Sequence, residues 1–335
     1  MGTILVAFIV FGLLVVFHEL GHFTVAKFVG IKVHEFAIGM GPRFLKVKKG
    51  ETEYSLRILP IGGYVKMEGE DEASTDAGSF NNKPIWARMA VLIAGPFMNF
   101  VLAVLLFTMI FYSLGFPTTI IDRVTPGFPA EQVGLRPGDQ ITSINGENIT
   151  NWDQIVRMIN GSREQELSII LLREGAEKQF RVTPVINRET DQAIIGITPA
   201  AEKSLVKSIT TSIDRMFFIM GGMMEFLGNL FGGKASTEDV VGPVGIIHLV
   251  GEAAKTSIYN VMSLAALISI NLGIVNLIPI PALDGGRLLF LLFEGISGRP
   301  IDPEKEGFIH LVGFVLLMVL MLFIAYKDII RFDLF

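Results

Sequence analysis

Four stretches of the chain run nearly free of charge, at roughly residues 4–25, 89–114, 258–278 and 307–326. Each approaches the ~20 residues that an α-helix needs to cross a hydrocarbon core, so four membrane spans are expected. The first lacks a basic start, and no small-residue cleavage site closes it, so it reads as a span and not as a signal peptide. A fifth apolar patch, 216–231, is interrupted by Glu225 and by glycines, the pattern of an amphipathic helix lying on a membrane surface. Whether it lies there or forms an extra span stays open.

Two other regions alternate. Residues 46–67, KVKKGETEYSLRILPIGGYVKM, carry apolar positions at period two on either side of Gly50 and predict a β-hairpin. Residues 119–200 change character completely. They predict a short strand, a small helix near Ala130, a strand at 140–144, a tight Asn145-Gly146 turn and a helix over 152–159 capped by Asn151 or Thr150. Two more strands follow around Glu174-Gly175, giving a small α+β domain. The acidic, polar stretch 68–84 reads as a loop, and no internal repeat is visible.

Composition agrees with a polytopic membrane protein carrying one water-soluble insert. Half of the 335 residues are hydrophobic and 18% are charged. A net charge of −5 offers nothing to nucleic acid. The absence of cysteine removes disulfides, thiol catalysis and thiolate metal sites, so any metal must be held by His, Asp or Glu. Ten Lys and Arg residues between 26 and 88 place that segment in the cytoplasm by the positive-inside tendency. Alternation of the spans then puts both termini and residues 115–257 outside, across a cytoplasmic-type bacterial membrane. The organisation expected is a membrane core at 1–114, the α+β domain at 115–202, an interfacial segment at 203–257 and a second membrane core at 258–335.

The chemistry lies where charge is most costly. In the first span, HELGH places His18 and His22 one turn apart on one helix face, with Glu19 between them. Two imidazoles at this spacing converge on one metal, and the glutamate reaches the attacking water as general base. The competing reading, a hydrogen-bonded buried histidine pair, leaves Glu19 unexplained. A catalytic zinc commonly takes three protein ligands. His34, His248 and His310 are poorly placed for the third, whereas NLIPIPALDGGRLLF offers Asp284. There Pro279 and Pro281 break helical pairing, and Gly285 and Gly286 permit a close turn. Zinc, two neutral imidazoles, Asp284 and Glu19 together sum to zero charge, which suits a low-dielectric pocket. A helix cap at the membrane edge is the alternative for Asp284.

HELGH, GPFMN (95–99) and NLIPIPALDGG together resemble the site-2 protease family of intramembrane zinc metalloproteases, M50-type. LPIGGYVKM and VVGPVGI (240–246) are also similar to segments of its bacterial RseP/RasP type, and the likeness runs over nearly the whole chain. GLRPGDQITSINGENI resembles a PDZ domain of the circularly permuted bacterial kind, with 194–198 as the loop facing a peptide carboxylate. Only one such domain is visible, where the enterobacterial type carries two.

The resemblance implies one Zn²⁺ per chain held by His18, His22 and Asp284, with Glu19 catalytic. It implies cleavage within the membrane segments of single-span proteins, anti-sigma factors and remnant signal peptides among them. Asn99 either orients substrate or makes an interhelical hydrogen bond, and the same alternatives hold for Asn276. An unwound substrate needs partners for its freed amides. An exposed edge of the hairpin, at Tyr54, Leu56 and Ile58, can pair with it as an added strand, and carbonyls near Pro279 and Pro281 can hold it. The outer domain either binds a newly exposed C-terminus or excludes bulky ectodomains by size. A scaffold or transporter with intramembrane charges is the alternative from another class, and it leaves the zincin spacing without a reason.

Overall fold

The computed structural model describes residues 2–70, 74–187, 190–234, 241–299 and 301–332. Residues 71–73 of the acidic stretch and Val240 of VVGPVGI therefore lie outside the described residues. The chain divides into two compact units, Phe111–Ser208 and the remainder on either side of it.

Among the described residues of the larger unit, four helices are long and apolar enough to cross a membrane: α1 (Gly2–Phe28), α2 (Ile85–Leu114), α7 (Ile258–Leu277) and α9 (Pro303–Arg331). They coincide with the four apolar runs. The last extends past its run because a helix can carry Glu304, Lys305 and Lys327 at its ends, where the charges reach water. α5 (Leu205–Phe231) contains the 216–231 patch and is not among the helices apolar enough to span. Two shorter helices, α6 (Pro243–Thr256) and α8 (Asp284–Ser297), also belong to this unit.

Small residues let the spans approach closely. A Cβ on Gly21 of α1 would lie 2.1 Å from the Ala94 carbonyl oxygen of α2, so only glycine fits there. Ser269 of α7 donates to the Asn99 carbonyl at 2.7 Å. Backbones packed this tightly, with one hydrogen bond across, are the usual means of holding helices where no hydrophobic drive separates lipid from protein.

The hairpin expected over 46–67 is part of a larger sheet. β1 (Val33–Lys49) and β2 (Thr52–Met67) turn at Gly50, as the alternation predicts, but each strand folds back at glycines, Gly39 and Gly41 in one and Gly62 in the other. Phe36 therefore faces both Val65 and Tyr54, and Tyr54 faces both Phe36 and Val47. Residues 53–56 lie inside the sheet, and its edges fall elsewhere. Tyr54 and Leu56 thus have no free backbone to offer a substrate: the period-two pattern shows that a strand exists but not which neighbours it acquires.

One face of the sheet joins a core with Ala26, Val91, Leu92 and Leu291. The other feature holding it is polar. Glu35, buried, accepts hydrogen bonds from Ser55 (2.6 Å), Tyr64 (2.7 Å) and Arg57 (2.8 Å). Burial pushes its carboxyl up, but these donors outweigh it and hold the pKa at about 2.

The smaller unit is built as its sequence predicts. Its main sheet runs in the order β10 (Ile197–Glu202), β3 (Phe116–Val124), β4 (Gln140–Ile144), β6 (Leu167–Arg173), β7 (Ala176–Val182), and β5 (Glu147–Asn148) pairs with β4. Asn145 and Gly146 both take positive φ, the requirement of the two-residue turn that matches strand twist. A short helix (α3, Pro129–Gln132) and α4 (Trp152–Gly161) flank the sheet; Asn151 caps α4 by accepting from the Gln154 amide. β8 (Val185–Asn187) and β9 (Gln192–Ile194) form a separate ribbon. Ile141, Ile144, Ile155, Leu167 and Ile169 fill a core of its own. A groove of about 300 Å³ runs between α4 and residues 192–197.

Candidate metal centre

His18 and His22 share a face of α1, and the link after α7 returns Asp284, the first residue of α8, to them. The Nε2 atoms of the two imidazoles are 3.1 Å apart. Asp284 Oδ2 lies 3.2 Å from Nε2 of His18 and 3.5 Å from that of His22. Donors bound tetrahedrally to zinc at ~2.0–2.1 Å are separated by about 3.3 Å, so the triangle is one face of such a tetrahedron.

The protons support the same reading. His22 Nδ1 donates to the Val91 carbonyl at 2.8 Å, which leaves Nε2 a lone pair. His18 Nδ1 lies 3.2 Å from the Asn99 side-chain amide, and Asn99 Oδ1 is buried and otherwise without a partner. With that oxygen turned towards the ring, it would accept Nδ1–H and leave His18 Nε2 a lone pair. Asp284 Oδ2 is buried with no hydrogen-bond donor of its own. Two imidazole nitrogens and a carboxylate oxygen converge at 3.1–3.5 Å in a pocket with little access to water, a donor set that a divalent cation would compensate. The residues fit zinc.

Packing enforces this arrangement. A Cβ on Gly95 of α2 would lie 2.3 Å from His22 Nε2 and 2.9 Å from His18 Cε1, so a bare backbone is what makes room for the rings. Cβ atoms on Gly285 and Gly286 would meet the carbonyl oxygens of Ile278 and Ile280 at 2.2 and 2.4 Å, confirming the close turn expected there. Glu19, next to His18 on the same helix, also lies beside the sheet, where a Cβ on Gly63 would lie 3.1 Å from its Cγ. A cavity of about 850 Å³ with mixed polar and apolar walls reaches Asp284, and Glu70, Arg88, Arg287 and Glu294 are among its lining residues. Arg88 and Glu294 form a bidentate ion pair in its wall.

The other candidates are dispersed. Asn99 is fully buried against His18 and not towards an open groove. Asn276 is half-buried at the end of α7, and Pro279 and Pro281 lie in the link that carries Asp284. Ile58 is exposed. Of the remaining histidines, His34 pairs with Glu68 and His248 lies against Phe332, outside the cluster. The Val91 carbonyl escaped the sequence reading. GPFMN marked the segment, but nothing in a sequence shows which carbonyl a distant ring will meet.

Comparison with known proteins agrees. Peptidase family M50 matches residues 6–320. The zinc metalloprotease RasP of Bacillus licheniformis is 34% identical, covering 99% of both chains. The regulator of sigma-W protease RasP of Bacillus subtilis is 33% identical over 98% of this chain and 99% of its own. Among solved structures, the PDZ domain of an SdrC-like protein from Listeria monocytogenes is 22% identical, covers 25% of this chain and 90% of that domain, and has a TM-score of 0.23. With a family match that runs from the first span into the last, the chain belongs to peptidase family M50 and is a multi-pass membrane zinc metalloprotease.

Proposed function

We propose that the protein cleaves single-span membrane proteins within their spanning segments, with His18, His22 and Asp284 holding zinc and Glu19 as general base and acid. The observation that carries this reading is the triangle of His18 Nε2, His22 Nε2 and Asp284 Oδ2, 3.1–3.5 Å on a side, set among apolar helices. Bound zinc supplies Lewis-acid polarisation of the scissile carbonyl and a water acidic enough to ionise near neutral pH. Glu19 takes that water's proton and delivers it to the leaving amine. The cavity at Asp284 supplies water from the side where Arg88 and Arg287 lie, and the basic segment 26–88 supports reading that side as cytoplasmic.

A helical substrate must unwind to be cut, and its freed amides need partners. The sheet supplies them at Gly63–Tyr64 instead of Tyr54–Leu56. Gly63 lies beside Glu19, and the pairing of residues 63–67 runs to β1 on one flank only among the described residues. The substrate adds there as a strand. The name of the Bacillus subtilis relative, regulator of sigma-W protease, supports anti-sigma factors as the substrate class, with remnant signal peptides a second. The smaller unit, read as a PDZ domain facing outward, limits entry to trimmed substrates. Its groove, lined by Phe128, Ile155 and 194–197, suits the apolar C-terminus such trimming creates.

Glu19→Gln tests the chemistry. Zinc content and fold should stay as in wild type, while cleavage of a pre-trimmed single-span substrate falls by about 10²–10⁴-fold. Near-normal turnover in a zinc-loaded variant would remove Glu19 from the mechanism.

A further inference from the structure

The link between α7 and α8 holds an unusual residue two positions before Asp284. Ala282 has φ +77°, in the left-handed region that an alanine side chain disfavours. Such a conformation persists only where the surroundings over-determine it. Within the link, the Ile280 amide donates to Ile278 and the Leu283 amide to Ile280, while Pro281 has no amide hydrogen. The Ala282 N–H donates instead to Nδ1 of His310, on α9, at 2.8 Å.

His310 is itself fixed. Because Nδ1 accepts, the neutral ring carries its proton on Nε2, which is buried without a hydrogen-bond partner and lies 3.8 Å from Glu306 Oε1 one turn earlier. The ring stands edge-on to Phe290 of α8, with centroids 5.4 Å apart. One turn further along α9, a Cβ on Gly313 would lie 2.5 Å from Pro281 Cβ and 2.6 Å from its carbonyl oxygen, so α9 rests directly on the link. Only 6% of the most apolar stretch of α9 is buried within the protein, which makes this contact conspicuous on that stretch.

We propose that His310 is a positioning residue for the metal centre: its Nδ1 holds Ala282 in the left-handed conformation that aims Asp284 at His18 and His22. The proposal rests on Asp284 being a zinc ligand. Its role is to fix the third ligand's approach from a helix that contributes no ligand.

The test measures Zn²⁺ affinity of the full-length, detergent-solubilised chain by chelator competition. It adds the visible absorption of the Co²⁺-substituted protein as a report on ligand geometry, and thermal unfolding of the metal-free protein as a control. His310→Leu should weaken zinc by about 10–100-fold, as outer partners of metal ligands do, and alter the cobalt bands. His310→Asn, whose side-chain oxygen can take the place of Nδ1 as acceptor, should stay within a few-fold of wild type. The double variant His310→Leu with Ala282→Gly should recover most of the affinity, because glycine adopts positive φ without the histidine. A purely structural role for His310 predicts no such rescue. Unchanged zinc affinity in His310→Leu, equal losses in the Leu and Asn variants, or failure of the glycine rescue would each overturn the proposal. Asp284→Asn separates the two readings. If it binds zinc like wild type, the ligand assignment itself is wrong. If it loses zinc while His310→Leu does not, only the role of His310 falls.

Discussion

α2 and α9 are both long, apolar and expected to span, yet the protein uses them in opposite ways. In α2, 56% of the most apolar stretch is buried within the protein, against 6% in α9. α2 threads between α1 and α7, presents Gly95 and Asn99 to the two histidines and offers the Val91 carbonyl to His22. α9 faces outward along most of its length and touches the rest at a few points. Among them are His310 and Gly313 on the α7–α8 link, and buried Asp328, which accepts from the Gly242 and Gly245 amides at the start of α6. Both helices must be apolar because lipid and protein interior are equally poor solvents for charge. Apolarity therefore reports membrane depth and says little about the neighbour. Small and polar residues inside the run carry that second message: α2 has Gly95, Pro96 and Asn99 near its middle, whereas the middle of α9 reads LVGFVLLMVLMLFIA with Gly313 alone.

The contrast can be broken most severely at Gly95. Gly95→Ala inserts a methyl group where His22 and His18 now lie, so zinc affinity should fall by more than the about 100-fold typical of outer-shell changes, with cleavage undetectable. Retention of zinc in that variant would mean that α2 does not set the ring positions. Next is a matched pair. Leu102 of α2 is 2% exposed and Leu316 of α9 is 64% exposed. Leu102→Ala should cost about 2–5 kcal/mol, read as a lower unfolding midpoint in the same detergent. Asn99→Leu removes the partner of His18 Nδ1 and should weaken zinc by about 10–100-fold. Asn99→Asp, which keeps an acceptor, should retain more. Leu316→Ala closes the series with a change within about 0.5 kcal/mol. Equal losses at positions 102 and 316 would show that α9 is covered in the membrane, by another copy of the chain or by a partner.

Much of the site was legible because it depends on local spacing. Four residues separate His18 from His22, and a helix does the rest; Asp284 stood out as an acid between prolines and glycines in an apolar setting. The insert was legible too, since turn residues such as Asn145-Gly146 and the cap at Asn151 act over a few positions. The sheet was only half readable. Alternation and Gly50 gave the turn, but the folding back at Gly39, Gly41 and Gly62 moved residues 53–56 from an edge to the interior.

The sequence by itself determined that the chain carries four apolar helices, one self-contained α+β insert and a histidine pair with an acid fit for zinc, because each follows from periodicity or composition within a short window. Only the tertiary structure decided the rest. It brought Asp284 within 3.2 Å of a histidine 266 positions earlier, turned Asn99 onto His18, placed Gly63 beside Glu19 and left Ala282 held by His310. Each of these joins elements distant in the chain. Which backbone group or side chain meets a given ring depends on how closely bare helix faces can approach, and that is settled by packing among all the elements at once.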